Sequence, residues 1–333
     1  LEIVFWNLLV EVYIAEKLKK FVFLILTVGL LIGGTTGHAT ASQVDPSVLA
    51  HAPYGRIISL YGAHTENLLA MGAAGQLIGI DGQSTHLVGA EGKPIFSYHD
   101  DPERFLASRP DLVLIRPMID RGYPRLVQRL KQSGIQVVSV QPTTVDHLAD
   151  YWRLLGQLTG REAQADGMHR AFQVAVGDFK RLSAQVGERQ RVYFEAIHRK
   201  MKTFTPQAMA IFALETAGGV NVASDAPVRE SNNIAVYGKE RLLSHAAKID
   251  VFLSQQGAMN QTSVAAIMAE PGFGAIKAVK AGQVFLVDET IVSRPTLGLL
   301  NGIYRIGCLL YPDVYCAAGR DILAAAGMDG SHH

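Results

Sequence analysis

Cysteine is nearly absent from the 333-residue chain, with Cys308 and Cys316 the only two. Two thiols are too few for a four-cysteine zinc site or a disulfide scaffold, so the fold must rest on an apolar core. No sign of charge predominates either: 31 Lys and Arg stand against 30 Asp and Glu, a formal net charge of +1. A balanced chain offers no electrostatic footprint for a phosphate backbone, and nucleic acid is not expected as a partner. Enzyme motifs are missing as well. There is no H-E-x-x-H, no G-x-S-x-G, no Walker loop and no G-x-G-x-x-G, and Gly272-Phe273-Gly274 lacks both a third glycine and a strand just upstream. What the chain does have is apolar residues, 48% of the total, enough at this length to fill about two domain cores.

The one long apolar run is N-terminal. Lys17, Lys19 and Lys20 precede residues 21–34, and small and polar residues follow, ending in Ala39-Thr40-Ala41. A positive segment, an apolar segment and an A-x-A site in that order form a secretory signal, with cleavage expected after Ala41. The run falls short of the roughly twenty residues that span a bilayer. Residues 1–16 precede the signal and fit no part of its pattern. No cysteine lies near the run, which argues against a lipidated mature N-terminus. The mature chain is expected to be exported and soluble, in oxidising surroundings where Cys308 and Cys316 could pair; two buried free thiols are the alternative. Residues 330–333, Gly-Ser-His-His, read as a vector-derived tail.

From Arg56 onward, short β-rich runs alternate with helical patterns. Strands are expected at 56–60, 77–81, 111–115 and 136–140, with helices at 64–71, 103–108 and 123–132 between them. Strands alternating with helices predict a parallel sheet covered on both faces. From His147 to about Val186 only helix formers occur, with Gly160 and Gly167 as the weak points. Alternation resumes with strands at 192–197, 249–254 and 283–288 and helices at 206–217 and 295–310. The chain therefore divides into an α/β lobe at 42–155, a connecting helix at 156–187 and a second α/β lobe at 188–329. A weak repeat supports this: Glu103-Arg104-Phe105-Leu106-Ala107-Ser108 and Glu240-Arg241-Leu242-Leu243-Ser244-His245 each precede a strand.

Several segments, in order and spacing, resemble the binding proteins of ABC importers for cobalamin, haem and ferric siderophores. Arg56 to Glu66 resembles that family's first strand and turn, and Leu68 to Ile80 its small-residue helix and following strand. Pro102-Glu103 through Arg109-Pro110-Asp111-Leu112-Val113 resembles its E-x-x-x-x-x-x-P-D-L-V element. Gly134 to Val138 and Ala217 to Asn221 are similar to its L-G-I-x-V step and G-G-x-N turn. The resemblance spans about residues 54–312. It implies two Rossmann-like lobes with parallel sheets bridged by one long helix, hence a largely preformed cleft suited to a rigid chelate. It also implies an inner-membrane permease as partner, met by one exposed Glu on each lobe; the matching residues are Glu103 and Glu240. The chain is expected to act as a monomer with no cofactor of its own.

Ligands of open α/β sheets sit beyond the carboxyl ends of the strands. Tyr61, His64, Tyr98, His99 and Arg116 lie there in the first lobe. Tyr61, His64, Tyr98 and His99 could bracket a planar ring or supply an axial ligand to a bound iron or cobalt. In the second lobe His198-Arg199-Lys200-Met201-Lys202 concentrates positive charge that would meet carboxylates or phosphate on the ligand. Arg294 could join it, and Arg229, Glu230, Asn232 and Asn233 form a further polar loop. The expected cargo is an iron complex such as a ferric siderophore or haem, or a corrinoid. The segment Ser97-Tyr98-His99 has no tryptophan of the kind seen in cobalamin binders. Two other readings remain. One is a bare zinc or manganese binder, although His51, His64, His86, His99, His147, His169, His198 and His245 are scattered. The other is a chelate-processing enzyme on the same frame.

Overall fold

The computed structural model describes residues 46–228 and 232–328; the expected leader, Arg229, Glu230 and the tail at 330–333 lie outside them. The apolar run after Arg56 forms β1 (Ile57–Ser59). It is joined by β2 (Leu77–Asp81), β3 (Ile95–Phe96), β4 (Leu112–Ile115) and β5 (Gln136–Ser139), every pair parallel. Their order is β3-β2-β1-β4-β5. The chain builds outward from β1 to β3 and then returns to β4 on the other side of β1. Between the strands run α1 (Gly62–Ala70), α2 (Pro102–Ser108), α3 (Pro117–Gly122) and α4 (Pro124–Gln132). The start of α2 is set locally: Pro102 suits the first helical turn, and the Asp101 carboxylate accepts the Glu103 backbone N–H at 2.8 Å.

Alternation along these strands buries both faces. Ile57, Leu112 and Leu114 enter one apolar cluster, while Ile58, Val113 and Ile115 enter another on the opposite side. That is why the strands read as unbroken apolar runs.

A shorter helix leads into the expected long connecting helix, which lies within 156–187. These are α5 (Leu148–Thr159) and α6 (Glu162–Ser183), and Gly160 ends the first in the left-handed region at φ 66°. Gly167 lies within α6 and does not break it. At about 1.5 Å per residue, α6 is about 33 Å long. Its buried residues, Met168, Phe172, Phe179 and Leu182 among them, belong to the same cluster as Ile57 and Leu114 of the first sheet and Val192 and Phe194 of the second. One apolar core thus runs from lobe to lobe through the connector, which limits hinge motion because packed interiors deform little.

The second sheet contains β6 (Arg191–Ile197), β7 (Lys202–Phe204), β8 (Val220–Asn221), β9 (Ile234–Val236), β10 (Val251–Gln256) and β11 (Val284–Asp288). The order is β11-β10-β6-β7-β9, with β8 paired to β6. β6, β10 and β11 are parallel, but β7 runs antiparallel to both β6 and β9. The sheet is therefore parallel in its centre and mixed at one side. β7, β8 and β9 are not expected from sequence, since strands of two or three residues are too short for a period-2 pattern to stand out. Helices α7 (Met209–Thr216) and α8 (Lys239–Ser244) cover this lobe. After β11 come α9 (Leu299–Leu310), α10 (Pro312–Tyr315) and α11 (Ala318–Ala325), with α9 and α11 packed on α6.

Candidate functional site

Open α/β sheets take ligands where the strand order reverses, here at the carboxyl ends of β1 and β4. The residues there are Tyr61, just after β1, and Arg116, just after β4. They touch: the Arg116 guanidinium carbon lies 5.1 Å from the centre of the Tyr61 ring. Burial pushes the Tyr61 phenol up to about 12; the guanidinium groups of Arg116 and Arg294 pull against this, and Glu289 and Glu66 add to it. Tyr61 is therefore a neutral hydroxyl at ordinary pH, and Arg116 a fixed cation stacked on it.

A second aromatic group stands past β3. The Tyr98 ring lies 4.4 Å from that of His99 and 4.7 Å from that of Tyr123, and the Tyr123 hydroxyl is 3.3 Å from His99 Nδ1. Tyr98 and Tyr123 are half-buried and His99 is exposed. Tyr123 is not expected from the sequence pattern; its one signal is its place before Pro124, where α3 gives way to α4.

His64 takes no part in the wall. It is fully buried, with Nε2 3.1 Å from the Ile115 carbonyl and Nδ1 2.7 Å from the Tyr151 hydroxyl. The carbonyl can only accept, so Nε2 carries the hydrogen and the hydroxyl donates to Nδ1. Burial lowers its pKa to about 4, with the Arg116 charge adding to the effect and the Ile115 carbonyl opposing it. Both ring nitrogens are engaged, so the expectation of an axial ligand at His64 is corrected to a neutral core histidine. Its surroundings are polar and complete: Asn67 donates to the Tyr151 hydroxyl, and the Trp152 indole donates to Asn67 at 3.1 Å.

In the second lobe, His198 to Lys200 make a single 3₁₀ turn after β6, closed by Met201 at φ 46°, and Lys202 already lies in β7. Arg199 and Lys200 are exposed, whereas His198 is held. Its Nδ1 is 3.0 Å from Oε1 of Glu195, a carboxylate with no exposed surface. The other oxygen of Glu195 accepts from Ser254 Oγ at 2.8 Å. Asn260 donates to the same Ser254 and accepts the His198 backbone N–H at 2.9 Å. On the far side, His198 Nε2 is 3.9 Å from Glu270, which is paired with Lys239. The hydrogen bond to Glu195 raises the His198 pKa most; burial and Lys239 oppose it, and the charges of Glu195 and Glu270 support it. Glu195 is not among the expected residues, although a lone carboxylate inside the apolar run Val192-Tyr193-Phe194-Glu195-Ala196-Ile197 is a visible sign of a buried polar network.

Arg294 is a strut, not an open wall residue. It is only 8% exposed, its Nη2 donates to Gln83 of the first lobe at 3.2 Å, and its guanidinium lies on Gly62, where a Cβ would stand 2.8 Å from Nη1. Next to it, Asn67 donates to the Pro295 carbonyl at 2.9 Å. A side chain at position 62 would have to displace the Arg294 guanidinium, and the two hydrogen bonds make the floor between the lobes a packed seam. Asn232 and Asn233 serve their own turn: the Asn232 side chain accepts the Ile234 N–H, and the Asn233 carbonyl accepts the Thr205 N–H.

Glu103 and Glu240 hold matching positions, each second in its helix, at the N-terminal ends of α2 and α8. These ends follow β3 and β9, so both face the same side of their sheets as the ligand loops. Glu103 pairs with Arg129 at 2.8 Å, both side chains well exposed; Glu240 is exposed and has no ion-pair partner among the described residues.

A model of the periplasmic binding protein family matches residues 57–290. The chain belongs to that family. Among relatives of this periplasmic binding protein is a vitamin B12-binding protein of Vibrio cholerae, 24% identical over 268 residues, covering 79% of this chain and 92% of that one. A possible iron-binding periplasmic solute-binding protein of Staphylococcus epidermidis has the same fold, with a TM-score of 0.68 and 24% identity over 78% of this chain and 100% of that one. So does the periplasmic heme-binding protein HutB of Vibrio cholerae, with a TM-score of 0.65 and 22% identity over 77% and 99% of the two chains. Among the described residues no helix is long and apolar enough to cross a membrane, and no three His, Cys, Asp or Glu side chains are grouped to hold a metal ion.

Proposed function

We propose that this periplasmic binding protein is the substrate-capturing component of an ABC importer and that its cargo is a metal chelate, either haem, a corrinoid or a ferric siderophore. The observation that carries this reading is the Arg116 guanidinium stacked on Tyr61 at the reversal point of the first sheet. A flat, partly apolar surface with a fixed cation suits a rigid macrocycle or chelate with acidic arms. The Tyr98, His99 and Tyr123 rings form a second aromatic group past β3 in the same lobe. Arg199 and Lys200, with Lys202 behind them, supply positive charge at the corresponding end of the second sheet. The B12, iron and haem binding named for the three relatives supports the chelate class. Glu103 and Glu240 present the loaded protein to arginines of a membrane permease, where bidentate pairs would fix its orientation. Glu103 exchanges its Arg129 partner for a permease arginine at that step.

The test is a visible-absorption titration of the purified chain with haemin, a corrinoid and a ferric siderophore in parallel, with zinc as a fourth arm. Saturable binding of one coloured chelate at about micromolar affinity or tighter is expected. Binding of zinc alone, or chemical turnover of a chelate, would replace this reading with the bare-metal or enzymatic one. Delivery is tested separately: Glu103→Arg with Glu240→Arg should abolish uptake in reconstituted vesicles and leave chelate affinity unchanged.

A further inference from the structure

The corner between α9 and α11 brings together the only two cysteines of the chain. Two contacts set its geometry. The Tyr304 hydroxyl donates to the Cys316 carbonyl at 3.2 Å, and the Tyr315 ring lies so close to Gly307 that a Cβ there would stand 2.0 Å from it. These contacts set the segment carrying Cys308 against the segment carrying Cys316. Both are free thiols in the structure, both residues are half-buried, and the Cys316 thiol acts on that of Cys308. Neither belongs to the cleft or to the interlobe seam. Burial most of all, and the Cys316 thiol next, push Cys308 up to about 12, so by itself it is a poor nucleophile.

We infer that Cys308 and Cys316 close an intrachain disulfide in the exported protein, clamping the α9–α11 corner against the connecting helix α6. The inference rests on the reading of the chain as exported, since an oxidant must be supplied. That oxidant is a dithiol-oxidising catalyst or small disulfide of the exported compartment. Cys316 loses its proton and attacks one sulfur of the oxidant's disulfide, whose other sulfur leaves as a thiolate. Cys308 then loses its proton and attacks Cys316 Sγ, expelling the second thiolate. Two electrons and two protons pass from the chain to the oxidant, which ends as thiols. Because the bridge closes a short loop between packed helices, it stabilises chiefly by constraining the unfolded chain.

The full chain, reduced and then incubated natively with oxidised glutathione, should lose two hydrogens in intact mass and resist alkylation. Digestion should release a linked peptide pair containing positions 308 and 316. The oxidised chain should melt roughly 5 °C above the reduced one, a difference that disappears in Cys308→Ser. Two alkylatable thiols, or two separate glutathione adducts, would overturn the inference. The cell fraction in which the chain is found tests export independently: chain with free thiols in the cytoplasm, alongside ready closure in vitro, would count against export and not against the pair, whereas free thiols in chain from the periplasm would overturn the pair.

Discussion

Each lobe places a histidine shortly after its first strand, His64 after β1 and His198 after β6, and the two meet opposite fates. His64 is enclosed beside a tyrosine hydroxyl and a peptide carbonyl, and burial keeps it neutral by lowering its pKa to about 4 although the carbonyl opposes the shift. His198 meets a buried carboxylate, which raises its pKa. The difference teaches that burial without an acidic partner and partial burial beside one shift the same residue type in opposite directions. In the first lobe this leaves a wall of aromatic rings and one stacked arginine. In the second it builds a turn anchored by a histidine–carboxylate hydrogen bond, with Arg199 and Lys200 exposed.

The largest effect is expected from breaking the anchor. Glu195→Leu leaves Ser254 and His198 without their shared acceptor inside the sheet and should cost about 2–4 kcal/mol. For a chain of this size that lowers Tm by roughly 5–10 °C. Tyr151→Phe, the neutral counterpart in the first lobe, should cost less, about 1–3 kcal/mol. Thermal unfolding of the two variants decides the matter; an equal or larger loss from Tyr151→Phe would mean that the carboxylate is not what sets the lobes apart.

Next in size is the pH dependence. The folded pKa of His64 lies below its unfolded value, so the unfolded chain binds the proton first. Stability should therefore fall as pH drops from about 6.5 to 4, by up to about 1.4 kcal/mol per pH unit and about 3 kcal/mol in all. His198 has the opposite sign: the stability from its raised pKa is present below about pH 6.5 and is lost as pH rises through the raised value. Denaturant unfolding from pH 4 to 8 should show His64→Gln flattening the acid side of the difference curve and His198→Gln the neutral side. Matching profiles for the two variants would erase the distinction.

The sequence shows the strands at β1, β2, β4, β5, β6, β10 and β11, because a strand buried on both faces is an apolar run bounded by polar residues or glycine. It shows the helical connector but not its break, since Gly160 and Gly167 look alike until tertiary packing selects one. The site is legible only in part. Tyr61, Arg116 and the basic turn follow from the rule that loops at strand ends bind. The roles of His64 and Arg294 do not follow, because burial of a polar side chain depends on partners far along the chain: Tyr151 for the one, Gln83 and Gly62 for the other. Glu195 illustrates the converse. A charged residue inside an apolar strand reveals that a network exists without revealing its members.

A smaller effect is expected at the outward cations. Arg199→Ala with Lys200→Ala should weaken binding of an anionic chelate about tenfold at low salt, less at high salt, with little change in stability because both side chains are exposed. Arg116→Ala should weaken binding with less dependence on salt, since its charge is stacked on Tyr61 and half-buried. Affinities measured at two ionic strengths test this, and equal salt dependence would show that the two walls meet the ligand in the same way.

The smallest effect concerns the two surface glutamates, which differ only in that Glu103 has Arg129 beside it. An exposed pair of this kind contributes little, so Arg129→Ala should change stability by no more than about 0.5 kcal/mol and leave chelate affinity unchanged. If Glu103 must release Arg129 to engage the permease, the variant should dock slightly better, lowering the concentration for half-maximal uptake by about twofold, the equivalent of about 0.4 kcal/mol. Glu240 has no such partner among the described residues, so neutralising nearby Arg241, which pairs with Asp225, should leave that concentration unchanged. A rise in the half-maximal concentration for Arg129→Ala would mean that Arg129 holds Glu103 in the orientation the permease recognises, and the two docking glutamates would then differ in preorganisation and not merely in competition.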